Sequence, residues 1–115
     1  MTIRVLLADD HAVVREGLCA LLESQADVAV IGVAEDGLAA VSAAMRLQPD
    51  VIVMDISMPG ISGIEACRRI CERQPGANVL VLSMHGSSEH VYRAMQAGAR
   101  GFVLKESAAA EVGTV

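Results

Sequence analysis

Aromatic side chains are almost missing from this chain: one tyrosine, one phenylalanine and no tryptophan in 115 residues. Stacking of single-stranded nucleic acid needs such rings, so the composition argues strongly against it. Basic charge is short as well. Nine Lys and Arg face fourteen Asp and Glu, a net charge of -5 that disfavours binding to a phosphate backbone. The three cysteines, Cys19, Cys67 and Cys71, contain no C-x-x-C pair and are odd in number, which suits a reducing, cytoplasmic setting. No apolar run approaches the ~18 residues of a membrane span, and Asp9 and Asp10 arrive too early for a signal peptide. Neither nucleotide-binding glycine motif, G-x-x-x-x-G-K or G-x-G-x-x-G, is present.

What remains is aliphatic. Hydrophobic residues make up 53% of a length that suits a single domain over 1–115 with a core of its own. Five short apolar runs recur: Val5–Ala8, Val28–Ala34, Val51–Met54, Val79–Leu82 and Gly101–Leu104. They are continuous rather than alternating, the pattern of strands buried on both faces of a parallel sheet. Segments with helical spacing lie between them: Val14, Leu18, Leu21 and Leu22; Leu38, Val41 and Met45; Ile64, Cys67 and Cys71; Val91, Ala94, Met95 and Gly98. Ser62 with Glu65 predicts a capping box at the third helix. Pro49 and Pro75 predict stops before the third and fourth strands, and Gly98 predicts a C-cap before the fifth. The reading is a repeated βα unit with right-handed crossovers, a five-stranded parallel sheet with helices on both faces. Only Ser107–Val115 follow the fifth strand, so the fifth helix is expected to be truncated or missing.

Ligands of an open parallel sheet bind outside the carboxyl ends of its strands. The first strand ends in Asp9 and Asp10, the third in Asp55, the fourth in Ser83 and the fifth in Lys105; Glu35 ends the second, to one side. Three carboxylates on one rim repel one another. A hard divalent cation removes that conflict, and Mg²⁺, which takes oxygen ligands and shares phosphate oxygens, fits best. Carboxylates also serve as nucleophiles in phosphoryl transfer. Asp55, central and followed by the Met58-Pro59-Gly60 turn, is the candidate nucleophile. Lys105 would neutralise charge on the phosphoryl group and Ser83 would donate a hydrogen bond to it. Each residue has a plainer role when taken singly: Asp10 as a helix cap, Lys105 as an edge-strand charge. Convergence of residues from four strands on one rim outweighs those separate roles.

These residues resemble the receiver domain of bacterial two-component response regulators. The resemblance rests on Asp9-Asp10-His11, Asp55 through Gly60, Ser83 and Gly101 through Lys105. The run from Ala8 to Leu18, Ala34 to Gly37, Leu82 to His85 and Lys105-Glu106-Ser107 are similar to the NarL/FixJ subfamily with LuxR-type output. The resemblance implies a flavodoxin-like, doubly wound sheet of order 2-1-3-4-5, and that Asp55 accepts a phosphoryl group from a sensor histidine kinase. It implies Mg²⁺ held by Asp9, Asp10, Asp55 and the backbone carbonyl of Ser57, a switch hydroxyl at Ser83, phosphate contact by Lys105 and an aromatic switch at Phe102. Phe102 has no hydroxyl, so coupling through it would be steric. A phosphorylation-dependent homodimer is implied too, and DNA binding only through a C-terminal helix-turn-helix domain that this chain does not contain.

Other residues read as structural. His11 is expected to open helix one rather than bind metal, and His85 either borders the pocket or is an ordinary loop residue. Cys67 and Cys71 are expected in the core, and Arg68, Arg69 and Arg73 on a solvated face. An aspartate-nucleophile phosphatase is the competing enzyme class. Its second acid, two residues after the nucleophile, is replaced here by Ser57. A degenerate receiver acting only as an interaction domain is the competing binding class, and the complete rim argues against it.

Overall fold

The computed structural model describes residues 1–84 and 88–104. The elements alternate as β1 (Ile3–Ala8), α1 (Ala12–Glu23), β2 (Val28–Ala34), α2 (Gly37–Leu47), β3 (Val51–Asp55), α3 (Gly63–Arg73), β4 (Val79–Ser83), α4 (Ser88–Gln96) and β5 (Gly101–Leu104). All strand pairs are parallel, and the sheet order is β2-β1-β3-β4-β5. The expected fold and order are therefore found. The expectation of a shortened fifth helix concerns residues 107–115, which lie outside the described residues.

The continuous apolar runs have a direct physical cause. In β1, Leu6 and Ala8 face one side with Ile52, Met54, Val79 and Val81, against helices α2, α3 and α4. Val5 and Leu7 face the other side with Val53 and Leu82, against Leu18, Cys19 and Leu22 of α1. Both pleat faces are buried, so no polar alternation survives.

The expected helix faces pack on the sheet through Leu18 and Leu22, Val41 and Met45, Cys67 and Ala94, with one outlying residue on three of them. Val14 and Leu38 are exposed, and so is Met95. The face that α2 buries consists of Gly37, Ala40, Val41, Ala43 and Ala44. Small side chains let α2 sit close to its neighbours, while Leu38 in its first turn is left outside. Helix α1 buries no residue fully; it leans on the sheet through half-buried side chains.

The helix ends follow the punctuation. Ser62 is the N-cap of α3, its hydroxyl accepting from the Glu65 N–H at 3.2 Å. The box is one-sided, because the Glu65 carboxylate turns to Arg68 and Arg69 instead. Asp36 caps α2 by accepting from the Ala39 N–H at 2.7 Å. Gln48, left-handed at φ 46°, ends α2 ahead of Pro49. Gly98, at φ 106°, follows α4; its N–H bonds Met95 and the Ala99 N–H bonds Ala94, the paired bonds of a Schellman motif. Cys67 is buried, and Cys71 lies beside it with the sulfurs 4.0 Å apart. Burial first, and the neighbouring Cys71 second, push the Cys67 thiol up to about 12, so it stays a protonated core group as expected.

The Arg68–Glu65, Arg68–Glu72 and Arg69–Glu65 pairs confirm a solvated face on α3. Hydrogen bonds from Arg68, then Arg69, hold the Glu65 carboxyl down at about 2, against an ordinary 4.5. Because the folded value is the lower one, this pairing stabilises the fold fully above pH 4.5. Its contribution fades as pH falls through about 2. A carboxyl-carbon NMR titration should place the Glu65 midpoint near 2; a midpoint at the ordinary value would show the network absent in solution.

Candidate metal and phosphoryl site

The parallel register brings the polar strand ends to one edge. Ala8 pairs with Met54, Asp55 with Leu82, and Ser83 with Leu104. Asp9 and Asp10 thus emerge beside Asp55, and Ser83 ends the next strand over. Asp9, Asp55 and Ser83 are all buried, polar side chains in an otherwise apolar interior. Burial of this kind is costly unless each group is engaged.

Asp9 is fixed from several directions. Its N–H donates to the Ala34 carbonyl at 3.0 Å, and its Oδ1 accepts from the His11 N–H at 2.9 Å. Its carbonyl accepts from the Arg15 guanidinium at 2.9 Å, and the same guanidinium reaches Glu35 at 3.3 Å. Arg15, with 14% of its side chain exposed, therefore clamps the β1–α1 turn to the end of β2. Sequence reasoning passed over Arg15. The only signal was a cation four residues past His11, one helical turn into α1. Glu35 stands apart from the carboxylate cluster, as its place at one side predicted.

His11 is the N-cap of α1 rather than its first residue, with extended backbone (φ -93°, ψ 107°) and no side-chain capping bond. The reason is the Asp9 carboxylate, which takes the His11 N–H and holds the chain out of the helix. Asp10 is likewise not the cap. On β3, Asp55 Oδ1 accepts from the Ser57 N–H at 3.3 Å, and Ser57 itself is exposed in the loop. Gly63 opens α3 directly against this strand end. A Cβ there would lie 1.9 Å from the Asp55 carbonyl oxygen, so only glycine allows the approach. Phe102 pairs with Val81 and packs, half-buried, on the face shared with α2, α3 and α4. Lys105 and His85 lie outside the described residues.

One oxygen from each of Asp9, Asp10 and Asp55 and one nitrogen of His11 all fall within 4.8 Å of one another. Asp10 Oδ1 is buried and meets no donor in hydrogen-bond geometry, although the His11 Nδ1 lies 3.1 Å away. The arrangement suits a small divalent cation with oxygen ligands. Among the described residues, no helix is long and apolar enough to cross a membrane.

A family model described as the response regulator receiver domain matches residues 5–114. The transcriptional regulatory protein LiaR of Bacillus subtilis (strain 168) is 48% identical over 110 residues, covering 96% of this chain and 52% of LiaR. The chain thus spans about half the length of that relative. A crystal structure of a LuxR-family two-component response regulator from Aurantimonas sp. SI85-9A1 superimposes with a TM-score of 0.92 at 39% identity, covering 99% of this chain and 81% of the other. A signal receiver domain given the name NarL, from Mycobacterium tuberculosis, superimposes at 0.91 with 36% identity, covering 98% and 91%.

Proposed function

Because this chain belongs to the response regulator receiver domain family, we propose that Asp55 is its phospho-acceptor and that a sensor histidine kinase is its phosphoryl donor. Receiver domains are signalling modules, and phosphorylation and transcription control are typical of the LuxR-type regulators it resembles. The single observation that carries the reading is the gathering of Asp9, Asp10 and Asp55 within 4.8 Å at one sheet edge.

Three carboxylates, one with a buried oxygen that accepts no hydrogen bond, fit a hard cation. Asp9, Asp10, Asp55 and the Ser57 carbonyl would hold Mg²⁺. When bound, that ion neutralises charge on the phosphoryl oxygens. The remaining work falls to the chain. An Asp55 carboxylate oxygen attacks phosphorus, and the bond from phosphorus to the donor's histidine nitrogen breaks. The nitrogen keeps the electron pair and leaves as imidazole, while Asp55 becomes an acyl phosphate. Ser83, on the strand next to that of Asp55, donates to a phosphoryl oxygen, and Lys105 balances its charge. The same groups assist hydrolysis of the acyl phosphate.

The switch is a population shift between conformers. The phosphoryl group adds about -1.5 to -2 charge and strong acceptor oxygens. Drawing Ser83 inward moves the end of β4, and Phe102, packed beside Val81, adjusts sterically. The shifted conformer favours a homodimer. In the full-length regulator a C-terminal helix-turn-helix domain would convert this into DNA binding in the cytoplasm. Receiver 1–115 carries the input side of that sequence of events.

Intact-mass spectrometry after incubation with acetyl phosphate tests the reading. A single phosphoryl adduct that forms with Mg²⁺ and fails to form with a chelator is the expected result. A folded chain that takes up no phosphoryl group under either condition would overturn the proposal.

A further inference from the structure

We propose that His11 is a nitrogen ligand at the acidic cluster, and that it opens this site to late first-row divalent cations such as Co²⁺, Ni²⁺ and Zn²⁺ as well as Mg²⁺. The proposal rests on the reading of Asp9, Asp10 and Asp55 as a cation site.

The His11 side chain is 60% exposed, so its ring has room to face solvent. Instead its Nδ1 lies 3.1 Å from Asp10 Oδ1 and 3.4 Å from Asp9 Oδ1. The backbone that carries the ring is fixed. The His11 N–H is tied to Asp9 Oδ1 at 2.9 Å, and its carbonyl accepts the Arg15 N–H at 2.8 Å in the first turn of α1. The backbone of the residue is pinned on both sides, next to the acidic pair. A ring nitrogen this close to two carboxylate oxygens is placed to share a cation with them.

The spacing suits the cation. Ligand bonds of about 2.0–2.1 Å to nitrogen and oxygen put neighbouring ligands of an octahedral ion about 3.0 Å apart. The separations of 3.1 and 3.4 Å are close to that value, and all four donors fall within 4.8 Å. Chemistry then sets the preference. Mg²⁺ gains little from imidazole, whereas Co²⁺, Ni²⁺ and Zn²⁺ bind it well. A site of carboxylates alone would rank these ions by their general affinity order. A site with His11 adds a selective increment that removal of the ring takes away.

The test titrates the unphosphorylated chain with Co²⁺ and, separately, with Mg²⁺, at one fixed pH above neutrality. Cobalt is followed by its visible absorption and both ions by calorimetry, for the wild type, His11→Ala and His11→Gln. His11→Ala and His11→Gln should weaken Co²⁺ about tenfold or more and blue-to-red band positions should change, while Mg²⁺ affinity moves less than about threefold. Equal Co²⁺ affinity in all three proteins, or Co²⁺ and Mg²⁺ weakening in step, would overturn the role of His11 and leave the Mg²⁺ site standing. A wild type that binds neither ion would overturn the cation site itself.

Discussion

Replacing Asp55 with asparagine should end phosphorylation while leaving the fold in place. Asp55 closes β3, with 2% of its surface exposed, and its Oδ1 accepts from the Ser57 N–H at 3.3 Å. Asparagine has the same shape and keeps an oxygen that can accept that bond. It lacks the anionic nucleophile that phosphoryl transfer requires. Labelling by acetyl phosphate should fall by more than about a thousandfold, equivalent to about 4 kcal/mol of barrier. Stability should stay the same or rise, because one of three close negative charges is gone. Thermal unfolding beside the mass measurement separates the two effects. A variant that labels like the wild type would assign the acceptor to another residue. A variant that neither labels nor folds would show that the side chain is structural first.

The positions of these groups could be read from the sequence because strand ends are well marked. A strand buried on both faces must be apolar throughout, so the first polar residue after it announces the sheet edge. Asp9, Asp55 and Ser83 are such residues, and all three reach the edge that the strand order implies. The helices were less legible. A core face made of Ala40, Ala43 and Ala44 carries a weak hydrophobic signal; Val41 and Met45 marked its side, but Leu38, the larger residue, is left exposed. The irregular register between Val5 and Leu6, which skips Ile31 on β2, left no mark in the residue pattern. Local hydrogen bonds were also hidden. Nothing in a one-dimensional pattern shows that Asp9 would capture the His11 N–H, or that Arg15 would reach back to the Asp9 carbonyl. Both depend on the path of a turn, and both fix the backbone around the acidic cluster.

Asp10→Asn should produce two opposite changes that together identify a cation site. Asp10 stands between Asp9 and His11, one of its oxygens is buried without a hydrogen-bond donor, and its side chain remains 26% exposed. Without a cation, its charge is a liability, held close to two other carboxylates in a partly dry setting. Neutralising it should raise the melting temperature of the metal-free protein. With a cation, the same charge becomes a ligand. Saturating Mg²⁺ stabilises the form that binds it by RT ln(1 + [L]/Kd), about 2.7 kcal/mol at a hundred times Kd. Loss of one charged ligand should weaken Mg²⁺ about tenfold or more, which removes about 1.4 kcal/mol of that increment at the same Mg²⁺ concentration. The metal-free curve should therefore move up while the shift caused by Mg²⁺ shrinks. Simple loss of packing would lower the first and leave the second alone. A metal-free protein that melts earlier, with an unchanged response to Mg²⁺, would take Asp10 out of the ligand set. The crossing of the two effects is the signature expected of carboxylates placed together for an ion rather than for the fold.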